Sequence, residues 1–225
     1  MIDFKGSQFE KEIILWGVRW YVAYSISYRQ LEEMMGERGV AVDHSTLNRW
    51  VIKYAPELEK QFRRRQRPVG RSWRMDETYV KIKGKWAYLY RAVDKEGHTI
   101  DFLLTPHRDR AAAEAFLHKA IRNQQLPEKI TIDQSGANTA AIKRYNKTHK
   151  TAIIIRHSKY LNNIVEHDHR GVKRILHPVL GFKSLWAARC TIAGIEVMHA
   201  IRKGQLVPTG HMLQTPAEQF YALAA

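Results

Sequence analysis

The chain has 225 residues, 44% of them hydrophobic, which suits one large domain or a core domain with a small appendage. Its 37 Lys and Arg against 22 Asp and Glu give a net charge of +15, so the expected partner is a polyanion, nucleic acid first. The single cysteine, Cys190, excludes an intramolecular disulfide and a multi-cysteine zinc site, and argues for a reducing compartment. No apolar run approaches the roughly 20 residues that span a bilayer. No segregated basic amphipathic stretch marks a membrane surface, and the start of the chain does not read as a secretory signal. No membrane partner is expected.

Three helical segments open the chain. Phe9, Ile13, Trp16, Trp20 and Ala23 recur at helical spacing, which predicts a helix over about residues 8–24. Tyr28, Leu31 and Met34/Met35 predict a short second helix that stops at Gly36 or Gly39. Asp43 reads as the N-cap of a third, with Leu47, Trp50, Val51 and Tyr54 on its buried side and Pro56 at its end. Two short helices around a glycine-containing turn, the second with a basic outer face, match a helix-turn-helix. In that arrangement Ser45, Thr46, Arg49 and Lys53 enter the major groove. A three-helix bundle used only for packing would show the same apolar spacing, and the net charge favours DNA.

The stretch QFRRRQRPVGRSWR, residues 61–74, holds six arginines, Pro68 and Gly70 and reads as a linker. Arg63, Arg64 and Arg65 are the expected strap along a phosphate backbone. The domains read from the sequence are a helix-turn-helix domain over 1–60, a basic linker over 61–72, a catalytic core over 73–204 and an unassigned tail over 205–225.

From Arg71 the period changes to two. Strands are expected at about 74–82, 86–93 and 98–105, with turns at Lys83-Gly84 and DKEGH. A helix follows from Asp109, then strand KITID at 129–133, helix GANTAAIKRYNK and strand TAIIIR. Two long helices close the core, the second capped by Ser184 and stopped by Gly204. This order implies an α/β fold, a mixed sheet flanked by helices.

Asp76 poses the chemical question. Alternation puts it on one strand face with Thr78, Val80 and Ile82, while Glu77 goes to the other face with Tyr79 and Lys81. Strands disfavour Asp. Two acids are its plausible companions. Asp133 stands at the carboxyl end of KITID, where α/β sheets build sites. Glu166 lies on the polar face Asn162, Glu166, His169/Arg170 and Lys173 of a helix whose apolar stripe is Leu161, Val165, Val172 and Ile175/Leu176. Three carboxylates beside cations suit a site for two Mg²⁺ ions, which bind hard oxygen ligands and phosphate oxygens together.

The blocks MDETYVKIKGKWAYLYRAVD, KITIDQSGAN, KYLNNIVEHDHRGVKR, LGFKS and AGIEVMHAIRKGQ, together with residues 8–60, resemble DDE transposases, and more closely the bacterial insertion-sequence family six. The resemblance implies a ribonuclease H-like, retroviral-integrase-like core preceded by a small all-α helix-turn-helix domain. It assigns Asp76, Asp133 and Glu166 as catalytic and metal-binding acids. Fifty-six residues separate the first two and 32 the second two, the latter slightly short for the family. Tyr160, Glu166 and Lys173 match the residues around the third acid. Asn163 stands near where an Arg is expected, and Lys159 and Arg170 are the candidates for that role. Lys159, Arg170 and Lys173 are expected on DNA. The resemblance also implies Mg²⁺, replaceable by Mn²⁺; double-stranded DNA as terminal inverted repeats and target; a homodimer or larger assembly; and a nucleoid-associated, cytoplasmic bacterial protein.

Other readings carry less. His167 and His169 point apart on a helix and cannot share an ion; His169 is read as a DNA contact. The run Trp86, Tyr88, Tyr90 could stack bases, but core packing is expected. Cys190 reads as packing. There is no glycine-rich phosphate loop, so no nucleoside triphosphate is expected. The rival functions are a DNA-binding regulator with an inactive core and a metal-dependent nuclease without strand transfer.

Overall fold

The structure, a computed structural model, describes residues 2–179, 181–208 and 214–225. Leu180 of LGFKS and residues 209–213 of the expected tail lie outside the described residues. The chain forms two compact units, residues 1–67 with 171–225, and residues 68–170. No helix among the described residues is long and apolar enough to cross a membrane.

The first unit is helical. It contains α1 (Lys11–Ala23), α2 (Tyr28–Gly36), α3 (His44–Arg64), α7 (Leu185–Arg202) and α8 (Pro216–Tyr221). Capping sets the starts. Ser27 and Gln30 form a capping box on α2, the Asp43 carboxylate accepts from the Ser45 and Thr46 amides, and Ser184 accepts from Ala187 N. Gly204, at φ 72°, ends the turn after α7.

Two expectations change here. Pro56 does not end α3, which runs eight residues further, to Arg64. A proline inside a helix costs about 3 kcal/mol. The buried stripe Leu47, Trp50, Val51, Tyr54, Leu58 and Phe62 continues through it at helical spacing and outweighs that cost. The basic segment at 61–72 is therefore no free linker. Its first four residues are helix, and its last begins β1 (Ser72–Ile82). Between them, Gln66 forms an antiparallel bridge with Leu206, the Arg67 amide donates to the Gln205 carbonyl, and the Val207 amide donates to the Arg65 carbonyl. The described residues 214–225 of the tail are likewise structured: Thr215 and Glu218 box the start of α8, Phe220, Leu223 and Ala224 are buried, and the Tyr221 hydroxyl accepts from Arg19 Nε at 2.7 Å.

The helix α7, read from the sequence as part of the core at 73–204, packs instead on α1 and α3. Its residues from Cys190 to Met198 are all buried, because three helices meet along it. Gly194 is the closest point. A Cβ there would lie 2.7 Å from Val22 Cγ1 and 3.0 Å from Ala55 Cβ.

The second unit carries the sheet: β1, β2 (Lys85–Asp94), β3 (Thr99–Thr105), β4 (Lys129–Ile132) and β5 (Ile154–His157), in the order β3-β2-β1-β4-β5. β2 runs antiparallel to β1 and β3, while β1, β4 and β5 are parallel. One antiparallel strand in an otherwise parallel sheet, at that position, is the ribonuclease H-like arrangement expected. The helices α4 (Arg110–Asn123) and α5 (Gly136–His149) cover one face, where Trp73, Met75, Tyr90, Phe116, Leu117, Ile130, Ile132 and Ile142 form the core. The division between units falls within α6 (Lys159–Leu176), after Arg170.

Gly194→Ala should lower stability by about 1–3 kcal/mol, the usual effect of overpacking. Urea denaturation followed by tryptophan fluorescence reads it. An unchanged midpoint would mean that α1 and α7 separate freely.

Candidate active site

Strand register decides which acids meet. β1 and β4 pair as Ser72↔Lys129, Trp73↔Ile130 and Arg74↔Thr131. The same register carried forward sets Asp76 opposite Asp133, the first residue beyond β4. Alternation along β1 turns the Asp76 carboxylate to the side away from α4 and α5, and the same alternation extended past β4 would turn Asp133 to that side. Asp133 sits in the turn into α5. Its Oδ1 accepts from the Ser135 amide at 2.9 Å, and its carbonyl accepts from His157 Nδ1 at 3.1 Å. That local bond fixes the carboxylate at the carboxyl end of the strand.

Asp76 answers to two further neighbours. Its cross-strand partner is Arg91, fully buried, whose guanidinium reaches Asp168 of α6 at 2.7 Å. The next residue of α6, His169, places Nε2 3.3 Å from Asp76 Oδ2, with side chains 6% and 18% exposed. His169 is thus packed against the sheet, not displayed to DNA as expected. The polar face read on α6 divides accordingly. Asn162 and His169 are buried, whereas Glu166, Arg170 and Lys173 are exposed. Glu166 stands three residues before His169, within one helical turn of about 5.4 Å.

The structure does not gather all three acids. Among the described residues, the one trio of His, Cys, Asp or Glu ligand atoms within 4.8 Å of one another is Asp94, Glu96 and His98. There the Asp94 carboxylate closes the β2–β3 turn. It accepts from the amides of Gly70, Glu96 and His98 at 2.9–3.0 Å and meets His98 Nδ1 at 3.2 Å. Those donors account for it without a cation.

The Asp76 site differs. Its donors are hard carboxylate oxygens, and on α6 buried polar atoms lack hydrogen-bond partners: Nδ1 of His169, whose Nε2 faces Asp76, and both side-chain atoms of Asn162, two turns earlier on the helix. Buried polar groups are normally satisfied. A hydrated divalent cation with its water shell fits this donor set and these unsatisfied atoms.

Glu77, on the opposite face, is nearly as buried as the core. It accepts from Arg108 Nε and, at 3.1 Å, from Asn138 Nδ2. Burial alone would lower the Arg108 guanidinium, but the Glu77 carboxylate outweighs it and raises the group. Burial, with Glu77 alongside, also pushes the Tyr90 phenol up. The neighbouring acids of the sequence Asp-Glu therefore do different work. Glu77 ties the segment before α4 and the first turn of α5 to the sheet, and Asp76 faces α6.

The expected DNA contacts also separate. Ser45, Arg49 and Lys53 are exposed along one stripe of α3, and Arg64, Lys159, Arg170 and Lys173 are exposed. Thr46 is engaged in the cap, donating from its hydroxyl to Asp43 Oδ2 at 2.6 Å while accepting from Arg49 at 2.7 Å. Arg63 pairs with Glu59 at 2.7 Å, and Arg65 donates to the carbonyls of Val207 and Ala222 at 3.1 Å. Both contacts hold the fold of their own unit. Cys190 is buried within α7, as packing requires, and burial raises its thiol.

Sequence reasoning missed Arg91 and Asp168. Arg91 lies mid-strand among Leu89, Ala92 and Val93, and that lone charge in an apolar run was the available signal. Asp168→Ala should lower stability by about 3–5 kcal/mol, since it strands a buried guanidinium. Replacing Arg91 with Met in the same chain should recover most of that loss in chemical denaturation. A single variant as stable as the parent would remove the pair from this role.

A family profile described as a DDE domain matches residues 70–205. The chain is 41% identical, over 201 residues, to the transposase for insertion sequence-like element IS431mec of Staphylococcus aureus (strain N315), covering 89% of this chain and 88% of that protein. It has the same identity and coverage to the transposase for insertion sequence element IS257 in transposon Tn4003 of Staphylococcus aureus. Among solved structures it is similar to the HTLV-2 integrase catalytic core domain in complex with magnesium (trimeric form), at 16% identity and a TM-score of 0.47, over 59% of this chain and 86% of that one. On the 41% identity across 89% of its length and the profile match over its core, the chain belongs to the DDE transposases of bacterial insertion sequences.

Proposed function

We propose that this transposase binds the terminal inverted repeats of its own element, cleaves a strand at each end and joins the released 3′-hydroxyl to target DNA. The observation that supports the chemistry most directly is the parallel β1–β4 register, which ends at Arg74↔Thr131 and, carried two residues further, would bring Asp76 level with Asp133. Asp76, Asp133 and Glu166 would hold two Mg²⁺, or Mn²⁺ in their place. Bound there, the metal supplies charge neutralisation at the scissile phosphate and activation of the attacking oxygen.

The chain's own residues do the rest. Ser45, Arg49 and Lys53 on α3 read the repeat in the major groove, with α2 and α3 as the helix-turn-helix of an N-terminal DNA-binding domain. The Glu32 carboxylate of α2 accepts from the His44 amide at 3.2 Å, which ties the start of the reading helix to its partner. Arg64, Lys159, Arg170 and Lys173 take backbone phosphates. In cleavage, water attacks phosphorus and the bond to the 3′-oxygen breaks. In joining, that 3′-hydroxyl attacks a target phosphodiester and displaces the target's own 3′-oxygen. Phosphodiester number is conserved in the second step, so no nucleoside triphosphate is consumed. Two ends call for at least two copies of the chain, acting on the nucleoid in the cytoplasm.

Purified protein, labelled element-end DNA and a target plasmid test the reading. Metal-dependent nicking and a joined product should appear. Each of Asp76→Asn, Asp133→Asn and Glu166→Gln should reduce both at least about 1,000-fold, as loss of a main electrostatic group does, while end binding changes little. Nicking without joining would leave a nuclease, and binding without either would leave a regulator.

Arg49→Ala should weaken repeat binding by about 1–3 kcal/mol if the guanidinium reads a base. Competition with unrelated duplex reads the specificity ratio. An unchanged ratio would take Arg49 off the bases.

A further inference from the structure

The outer end of the β1–β2 hairpin is built unlike the rest of the sheet. Register places Glu77 beside Tyr90, Tyr79 beside Tyr88, and Lys81 beside Trp86, all on the face that α4 and α5 cover. The cover runs out along this ladder. Tyr90 is buried 5.9 Å from Phe116, Tyr88 is half-buried, and Tyr79 and Trp86 are 47% and 60% exposed. Core packing, the role expected for the whole run, therefore holds for Tyr90 and fails at Trp86. The strands outreach the helices that would bury them.

The exposed rings form a group. Tyr79 lies 5.4 Å from Tyr88 and meets Trp86 edge-on at 6.1 Å, and Lys81 Nζ stands 5.9 Å from the Trp86 ring. The turn adds Lys83 and Lys85, and no carboxylate occurs from Thr78 to Val93. Lys83 adopts φ 48° and Gly84 φ 77°. Such a turn favours Asn, Asp or Gly at its first position. A lysine there keeps a cation at the apex against local preference.

We infer that this hairpin tip is a stacking platform for unpaired DNA bases, separate from the repeat-reading helix and from the acids. The inference rests on the DNA-cleaving reading above. Lysines alone would suffice for phosphates. Open aromatic faces add affinity only where a base face is free, and bases within a duplex are already stacked. A nick removes the backbone continuity that holds the terminal base pair in the stack, so bases at a cleaved end fray and present such faces. Pairing of two such tips would instead set lysine against lysine, which charge complementarity opposes.

The test uses the full-length protein and two probes, a blunt element-end duplex and the same duplex with a single-stranded thymine extension. The parent should bind the extended probe more tightly. Tyr79→Ala with Trp86→Ala should weaken that binding about 10-fold or more, in line with base–aromatic stacking, and leave the blunt duplex unchanged. Trp86→Phe should keep most of the preference. Equal loss on both probes, or no loss on either, overturns the platform. So does an intact preference accompanied by a smaller assembly in sedimentation, which would make the face a contact between copies. Failure of the parent to bind either probe defeats the transposition reading itself. Joining activity without any probe preference defeats the platform alone.

Discussion

A guanidinium buried in the middle of a sheet must be met by a counter-charge, and the arrangement of the sheet unit follows from that requirement. Arg91 has no exposed surface, and its partner comes from α6, Asp168. An unpaired charge there would be intolerable, so the position of α6 over this face is strongly constrained. His169 then falls against Asp76, and Glu166 falls within a turn of that contact. The Asp168-His169 pair that follows Glu166 in the sequence is what seats α6.

The two faces of β1 divide the labour. On the face toward α4 and α5, Glu77 is neutralised by Arg108 and accepts a further hydrogen bond from Asn138, and the remaining positions are apolar until the ladder runs past its cover. On the other face lie Arg74, Asp76 and Thr78, with Arg91 beside them. A charged layer on that side leaves Asn162 and His169 with unsatisfied polar atoms. Such atoms cost stability in an isolated chain, and those of His169 lie against Asp76.

The helical unit shows the same logic through packing. α7 is apolar around nearly its whole circumference, which is the mark of a helix surrounded by others. Its place beside α1 and α3 joins residues nearly the whole chain length apart, and the arginine-rich segment after α3 is held by a bridge to residues just beyond α7. A segment that reads as a linker by composition is thereby held in place by backbone hydrogen bonds.

Local chemistry made much of this legible beforehand. Hydrophobic period, caps and turn residues located every helix and strand of the sheet unit, and the placement of Asp76, Asp133 and Glu166 at a strand, a strand end and a helix face made them the expected set. Local signals misjudged Pro56, because one residue's backbone preference is small beside a stripe of buried side chains that continues past it. They could not assign α7 to its unit, pair Arg91 with Asp168, or separate the fates of Tyr90 and Trp86. Those outcomes depend on which surfaces come to face one another and where a covering helix ends. The sequence alone determined the elements and the family to which their residues belong. The tertiary structure decided which charges are buried together and which aromatic rings remain in water, because burial is a property of neighbours distant in the chain.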